Sequence, residues 1–268
     1  MPTDDREIVI EDLHKGFDGR SVLRGIDLTV RRGEIVAIVG GSGSGKTVLL
    51  QHIFGHHQPD AGRVCVADHE SAGSPLRDLA TLDEEAMDRV RMHWAIVFQR
   101  NALLSGTVFH NLALWPREIR EWDEARIMPL ARRALTDVGL EPDEVLRRDR
   151  EELSGGMAKR VAIARALVMD PVLILYDEPT AGLDPEMCKQ IHELIGATHR
   201  ARPGLGVART TLVVTHDTGL LRTLAPRIVM LHDGRVRFDG AFEEFLASDD
   251  PHIRPYLEQM SFLHGRGG

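Results

Sequence analysis

Residues 40–47, with the sequence GGSGSGKT, have the composition and spacing of a loop that binds phosphate groups. The segment follows a short β-branched run and precedes a helical pattern, which is the context that this motif requires. Its glycines let backbone N–H groups turn towards phosphate oxygens, Lys46 can reach the terminal phosphates, and the hydroxyl of Thr47 can bind Mg²⁺. We therefore predict a nucleoside triphosphate site, with contacts from Gly40, Gly41, Ser42, Gly43, Ser44, Gly45, Lys46, Thr47 and Val48.

A second segment that could bind an anion is LSGGM, residues 153–157, which places a hydroxyl and two glycines before a helical pattern. The first N–H groups of a helix have no partner inside the helix, and glycines leave them accessible to a negatively charged ligand. Ser154, Gly155 and Gly156 therefore predict a second phosphate site in a chain that already has one.

Two adjacent carboxylates end an apolar run in VLILYDEP, residues 172–179. Neighbouring acids repel each other, so the pair indicates two different tasks. Asp177 would bind Mg²⁺, and Glu178 would polarise the attacking water. The alternative is a helix-capping aspartate followed by an ordinary loop. The phosphate-binding loop in the same chain favours the first interpretation.

Gln99 and His216 each follow a predicted strand, WAIVF and TTLVVT respectively. Ligands of open α/β sheets lie at the carboxyl ends of the strands, so both side chains are candidates for that edge. Gln99 could contact the metal or the attacking water, and His216 could form a hydrogen bond with the γ-phosphate. Taken alone, either residue is more often an ordinary loop residue.

The composition is that of a globular protein with a substantial core, since 43% of the 268 residues are hydrophobic and 28% are charged. The net charge of −8 gives no overall basic field to hold nucleic acid. Cys65 and Cys188 are too few for a disulfide framework or a structural zinc site. The acidic N-terminus lacks a secretory signal, and no window approaches the ~20 apolar residues that span a bilayer.

Strand-like and helix-like segments alternate along much of the chain, which predicts a largely parallel sheet with helices on both faces. Residues 74–152 interrupt this alternation. Within them, residues 75–91, 121–139 and 141–153 are charged, amphipathic and helix-like, and a brief strand, WAIVFQ, lies between the first two segments. We therefore predict a helical insertion, followed at residues 248–268 by a short docking segment that frays.

The order P-loop, LSGGM, DEP, AGLD, THD resembles the motif order of the ATP-binding cassette (ABC) family, from Ile8 to Phe245. This resemblance implies an α/β fold of the P-loop NTPase type. It implies an ABC-type nucleotide-binding domain with a RecA-like core, an N-terminal antiparallel β subdomain and a helical subdomain at about residues 76–160. A single ATPase domain would occupy residues 1–245, with a short tail at residues 246–268. The implied cofactors are ATP and Mg²⁺. The implied catalytic residues are Lys46, Gln99, Glu178 and His216, and the implied metal ligands are Thr47, Gln99 and Asp177.

In the ABC family, the LSGGQ-like segment of one subunit closes over the γ-phosphate that the P-loop of another subunit binds. One copy of each motif therefore implies a second copy of the chain, arranged head to tail with two ATP molecules between the subunits. Ser154, Gly155 and Gly156 would then bind phosphate in the partner subunit. Asp184 of AGLD would communicate between the two sites, and Phe17 would stack on adenine. This explains why one chain carries two phosphate-binding segments.

Met157, which stands where most cassettes have glutamine, and the segment FQRNALLSGTVFHNLALWP resemble the ATPases of Mla/Mkl-type lipid transporters. The resemblance implies a phospholipid cargo, a multispanning permease, an MCE-domain partner and a position at the cytoplasmic face of the inner membrane. Val48 is a departure, because family members often have Ser or Thr there and gain a side-chain contact to the α-phosphate. The apolar side chains of the segment would form either the core of the insertion or a groove for a permease helix. They are Leu103, Leu104, Val108, Phe109, Leu112 and Trp115.

Two other functions remain open on the sequence alone. A transporter ATPase for another cargo, such as amino acids or metals, would carry the same motifs. A cassette ATPase that acts on DNA or ribosomes is the third alternative. The acidic charge, the single cassette and the lack of a long coiled-coil insertion argue against a nucleic-acid partner.

Overall fold

The computed structural model describes residues 5–201, 203–204, 206–254 and 257–258. It divides into two compact units, Met1–Val90 with Thr210–Gly268 and Arg91–Arg209. The strands are β1 (Arg6–Phe17), β2 (Arg20–Arg31), β3 (Ile35–Val39), β4 (Ala61–Ala67), β5 (Leu76–Asp78), β6 (Trp94–Val97), β7 (Leu173–Asp177), β8 (Thr210–Val214), β9 (Arg227–His232) and β10 (Arg235–Gly240). The helices are α1 (Lys46–Ile53), α2 (Glu84–Arg91), α3 (Val108–Arg120), α4 (Glu124–Asp137), α5 (Pro142–Val145), α6 (Gly155–Leu167), α7 (Pro185–Arg200), α8 (Thr218–Leu224) and α9 (Phe242–Leu246).

The first unit contains an antiparallel sheet with the strand order β2-β1-β4-β5. The long central strand β1 pairs with β2 on one side and with β4 on the other. Its side chains Ile8, Ile10 and Leu13 are buried, so one part of this sheet contributes to the core of the unit. The predicted N-terminal antiparallel β subdomain is therefore confirmed.

A second group of strands in the first unit has the order β10-β9-β3-β8. Strand β3 pairs in parallel with both β8 and β9, and β10 returns antiparallel to β9. All residues of β8 and all but the first of β3 are buried. Strands that are covered on both faces read as continuous apolar runs, and this explains IVAIV in β3 and LVV in β8. The predicted parallel pairing is confirmed here.

The C-terminal part of the chain packs against a cluster of apolar side chains that includes residues of β3. Ile253 is buried in a cluster that contains Ala37 and Val39 of β3 together with Phe245 of α9, and Leu257 packs against the same cluster. The docking predicted for this tail is therefore confirmed at these positions. The fraying predicted for its end falls on residues 259–268, which lie outside the described residues.

The second unit contains the parallel pair β6 and β7 and the helices α3 to α7. Helices α3, α4 and α6 pack against one another. In α3, α4, α6 and α7, the residue before the helix has a side-chain oxygen that accepts a hydrogen bond from the backbone N–H three residues further on, as an N-cap does. The capping residues of α3, α4, α6 and α7 are Thr107, Asp123, Ser154 and Asp184.

Two of the predicted helical segments differ from the structure. In 75–91, residues Leu76–Asp78 form strand β5, and only Glu84–Arg91 is an α-helix, because pairing with β4 outweighs the helical pattern of the first residues. In 141–153, a short helix and a 3₁₀ turn (Arg150–Glu152) replace one continuous helix. The segment 121–139 is correct, since α4 occupies most of it. The limits of a helical subdomain at about residues 76–160 stay a prediction.

The apolar segment at residues 98–116 contains helix α3, which the sequence analysis did not assign. The first alternative, a core position, is confirmed for three of its side chains, and the groove for a permease helix stays a prediction. Leu103, Val108 and Leu112 are buried in the second unit, whereas Leu104 and Trp115 expose 45% and 53% of their surface. Among the described residues, every helix is too short or too polar to cross a bilayer.

Candidate nucleotide-binding site

The P-loop connects β3 to α1 in the first unit, as the sequence predicts. Gly40 has φ = 147°, and a Cβ atom there would lie 2.3 Å from the carbonyl oxygen of Leu231 and 2.7 Å from Ser44 Oγ. Gly45, which precedes α1, has φ = 101°, and its Cβ would lie 2.7 Å from the side chain of Leu23. Only glycine fits both positions, because a side chain at either one would overlap with these neighbouring atoms. The N–H groups of the loop therefore stay unobstructed.

The side chain of Lys46 folds back onto the loop, where its Nζ donates hydrogen bonds to the carbonyl oxygens of Gly40 and Gly41, at 2.9 Å each. The hydroxyl of Ser44 is buried and has no hydrogen-bond partner among the described residues. A buried hydroxyl without a partner is costly, and a phosphate oxygen would satisfy it. The cation, the buried hydroxyl and the glycine backbone therefore fit a bound triphosphate.

His216 and the P-loop follow neighbouring strands at the same edge of the sheet in the first unit. Strands β3 and β8 are parallel neighbours, with Ile38 opposite Val214, and Thr215 N donates to Ile38 O at 3.2 Å. His216 follows directly and is exposed. The carboxyl ends of the two strands thus bring this imidazole and the start of the P-loop to one edge.

Phe17 lies at the end of β1 and exposes 39% of its surface. Its ring contacts the ring of His57 in a T-shaped arrangement, with the centroids 5.3 Å apart. His57 in turn lies beside His52 of α1, and Nδ1 of His52 is 2.7 Å from Val48 O. Aromatic contacts therefore connect the predicted adenine platform with the helix that follows the P-loop.

In the second unit, parallel pairing of β6 with β7 brings Gln99, Asp177 and Glu178 to one edge. Val97 lies opposite Tyr176, so both strands end at the same level. Glu178 has φ = 45°, a left-handed conformation that is uncommon for a residue with a side chain. Backbone strain of this kind is frequent at functional sites, where the surroundings hold it in place.

Lys159 of α6 contacts this edge, and the sequence analysis did not identify it. The side chain is buried, and Nζ donates to the carbonyl oxygens of Phe98 at 3.2 Å and Gln99 at 3.1 Å. Burial lowers the pKa of Lys159 to about 8, and the Asp177 carboxylate acts in the opposite direction. The available signal was a lysine three residues after Gly156, on the face of α6 that carries buried Ile163.

The LSGGM segment forms the predicted helix N-terminus. Ser154 caps α6, and its Oγ accepts a hydrogen bond from Met157 N at 3.2 Å. A Cβ at Gly155 would have nothing within 4 Å, but one at Gly156 would lie 2.2 Å from Cε of Met187. Met187 N donates to Asp184 Oδ1 at 2.9 Å, which caps α7. The first turns of α6 and α7 therefore lie against each other at Gly156 and Met187.

The structure thus assembles two groups of predicted residues. The P-loop, Phe17 and His216 belong to the first unit, and Gln99, Asp177 and Glu178 belong to the second, as do LSGGM and Asp184. Their individual roles stay predictions.

A comparison with protein families identifies the chain. The model described as "ABC transporter" matches residues 23–181, which is more than half of the 268 residues. The chain belongs to the ABC transporter ATP-binding family. The predicted fold, an ABC-type domain of the P-loop NTPase class, is confirmed, and the protein is an ATPase with ATP and Mg²⁺ as its cofactors.

The relatives of this ABC ATPase have several named functions. The histidine transport ATP-binding protein HisP of Pseudomonas aeruginosa is 35% identical over 92% of this chain and 96% of its own length. Protein TRIGALACTOSYLDIACYLGLYCEROL 3, chloroplastic, of Arabidopsis thaliana is 33% identical over 94% of this chain and 74% of its own length. Further relatives are named for the transport of L-cystine, arginine and ornithine, nickel, methionine or phosphate.

A solved structure with the same fold is the dimeric, post-hydrolysis ATP-binding cassette MJ0796 bound to ADP and Pi. It has a TM-score of 0.72 and 28% identity, and the match covers 87% of this chain and 98% of that one.

Proposed function

We propose that this ABC ATPase is the ATP-hydrolysing subunit of a membrane transporter for a small solute such as an amino acid. The observation that carries this proposal is the similarity to HisP, which extends over nearly the full length of both chains. The relatives named for cystine, nickel and methionine support the same class of cargo.

In this proposal the residues of the first unit bind and sense the triphosphate. The P-loop N–H groups, including that of Val48, and Lys46 would bind the phosphates, and Phe17 would stack on adenine. His216 forms a hydrogen bond with the γ-phosphate. The buried hydroxyl of Ser44 and the unobstructed loop backbone support the phosphate contacts.

Thr47, Asp177 and Gln99 would hold Mg²⁺, which neutralises charge on the phosphate oxygens during hydrolysis when it is bound. Oxygen ligands of this kind suit Mg²⁺. Glu178 would accept a proton from the attacking water, and Lys46 would stabilise the charge that develops on the γ-phosphate. The strained backbone at Glu178 supports a functional role for this residue.

A second copy of the chain would complete each site. Ser154 and Gly155 are exposed at the N-terminus of α6, where N–H groups can bind an anion. Together with Gly156 they would bind the γ-phosphate held by the other subunit, and Asp184 would communicate between the two sites. The dimeric state of MJ0796 supports this arrangement.

A multispanning permease would dock on the second unit and hold the ATPase at the cytoplasmic face of the membrane. Phe98, Leu104 and Trp115 are large apolar side chains that expose 39%, 45% and 53% of their surface. Phe98 precedes Gln99, so a partner at this surface could sense the state of the site. Exposed apolar side chains grouped in one segment are typical of protein-protein contacts.

Phospholipid is the second candidate cargo, and an MCE-domain protein would then be an additional partner. Met157 and the segment at residues 98–116 favour this alternative, as does the relative named for trigalactosyldiacylglycerol.

Isolation of the complex from membranes, followed by an ATPase assay, tests both proposals. The tagged ATPase is isolated from detergent-solubilised membranes of its own host, beside a Trp115→Ala variant that tests the docking surface. We expect the wild-type protein to bring a multispanning protein and the variant to lose it. The complex is then assayed for ATP hydrolysis with amino acids or with phospholipid vesicles. Stimulation by vesicles alone would replace the small-solute proposal, and isolation of DNA or ribosomes instead of a permease would contradict both.

A further inference from the structure

Lys159 is a buried cation whose hydrogen bonds are made to backbone carbonyl groups. Only 1% of its surface is exposed. Lysine is almost never fully buried unless it is paired, because removal of an ammonium group from water is costly. The acceptors of Nζ are the uncharged carbonyl oxygens of Phe98 and Gln99. These contacts stabilise the loop, but they require a charged group to be removed from water. This cost indicates that the loop has to be held in one position.

The loop at residues 98–103 is held by side-chain cations along its length. Arg165, from the same helix as Lys159, donates to the carbonyl oxygens of Ala102 at 2.7 Å and Asn101 at 3.3 Å. Arg150 donates to Leu103 O at 2.6 Å. Ala102 itself has φ = 47°, which a residue with a side chain rarely adopts. Helix α6 therefore sets the path of a strained loop through two buried or half-buried cations.

The residue that this arrangement holds is Gln99, whose side chain is exposed at the carboxyl end of β6. Strand β7, which pairs with β6, ends at Asp177. The hydrogen bond from Lys159 Nζ to Gln99 O therefore fixes the backbone of a residue that is proposed to hold the metal ion.

We propose that Lys159 is a positioning residue for ATP hydrolysis, which holds the backbone at Phe98 and Gln99 so that the Gln99 side chain stays at the edge where Asp177 lies. This inference rests on the proposed role of Gln99. Helix α6 then has two functions. Its N-terminus presents Ser154, and Lys159 and Arg165 further along the helix hold the 98–103 loop.

The test compares Lys159→Met, which keeps the length of the side chain and removes its donors, with Lys159→Arg, which keeps a cationic donor. Lys189→Met is the matched control, since Lys189 is exposed on α7 in the same unit. We expect kcat for MgATP to fall about 10- to 100-fold in Lys159→Met, as for a misplaced catalytic group. ATP affinity should stay within about twofold because the P-loop is unchanged. Lys159→Arg should recover part of kcat, and Lys189→Met should match the wild type.

A double-mutant cycle with Gln99→Ala separates positioning from a general loss of structure. If Lys159 acts through Gln99, Lys159→Met has no further effect on kcat in the Gln99→Ala background. Effects that multiply, or an unchanged kcat in Lys159→Met, overturn the proposal. If Lys159→Met does not fold, the same cycle is run with Lys159→Gln. Failure of all three substitutions to fold makes Lys159 a purely structural residue and also overturns the proposal.

The cycle also distinguishes this inference from the proposed function. A wild-type kcat in Gln99→Ala would remove the proposed role of Gln99, and the inference with it. An impaired Gln99→Ala beside an unaffected Lys159→Met overturns the inference alone.

Discussion

The two glycines at the start of α6 have different surroundings, and alanine substitutions should separate them. Gly155 has no neighbour within 4 Å of the site that a Cβ would occupy. Replacement of a glycine by alanine in a compatible conformation stabilises a protein by about 0.4–1 kcal/mol, because the unfolded chain loses freedom. We therefore expect Gly155→Ala to raise the free energy of unfolding by about that amount.

Gly156→Ala should not show this gain. Its Cβ would lie 2.2 Å from Met187 Cε and 2.6 Å from Sδ, so the methionine side chain has to move. These two atoms form the far end of a flexible side chain that can move aside, so the cost should lie near the lower limit for overpacking, about 1 kcal/mol. After the gain of about 0.4–1 kcal/mol from the unfolded state is subtracted, Gly156→Ala should lose at most about 0.6 kcal/mol and should be about 1 kcal/mol less stable than Gly155→Ala. Urea unfolding without nucleotide, followed by tryptophan fluorescence, measures both variants.

Met187→Ala provides the control for this interpretation. In the Gly156→Ala background it removes the overlap, so the double variant should show a favourable coupling energy of about 1 kcal/mol. ATP hydrolysis completes the comparison: Gly155→Ala should be more stable than the wild type and yet slower, since its methyl group would face the phosphate of the partner subunit. A loss of stability in Gly155→Ala equal to that in Gly156→Ala, or zero coupling to Met187→Ala, would refute the packing argument.

The remaining predictions concern the nucleotide, pH and the tail. Glu178→Gln should bind ATP but not turn it over, and should accumulate as a nucleotide-bound dimer; gel filtration with MgATP checks this, and a monomer alone would contradict it. Lys46→Ala should weaken ATP binding, measured by calorimetry, and unchanged affinity would make the P-loop assignment wrong. Burial lowers the pKa of His52, so the unfolded chain takes up the proton more readily and stability should fall as the pH drops below about 6.5. His52→Asn should flatten this dependence in thermal unfolding at about pH 7.5 and about pH 5.5, whereas parallel profiles would show that His52 is not responsible. Ile253→Ala should destabilise the first unit by about 2–5 kcal/mol in urea unfolding, because Ile253 is buried in the core beneath β3, and an effect below that range would indicate that the tail is not part of the core.

The sequence predicted best those parts of the site that local pattern determines. The buried strand β3, the glycine loop and α1 follow one another within a few residues, so spacing alone located the loop and Lys46. The cap at Ser154 and the strand ending at Asp177 were predicted for the same reason.

What could not be predicted depends on partners that are distant along the chain. Leu76–Asp78 carries a helical pattern, and its pairing with β4 makes it a strand. Lys159 meets carbonyl groups that precede it by about 60 residues, and nothing in the sequence around it specifies that contact. The contact between Gly156 and Met187 likewise requires the folded arrangement of α6 and α7.

The hydrogen bonds of Lys46 to its own loop have a consequence for how tightly this protein can hold a nucleotide. Its ammonium group is already solvated by the carbonyl oxygens of Gly40 and Gly41, so an arriving phosphate exchanges one set of acceptors for another. The affinity for nucleotide therefore reflects the difference between the two sets of acceptors, and not the full strength of the bonds between the ammonium group and the phosphate.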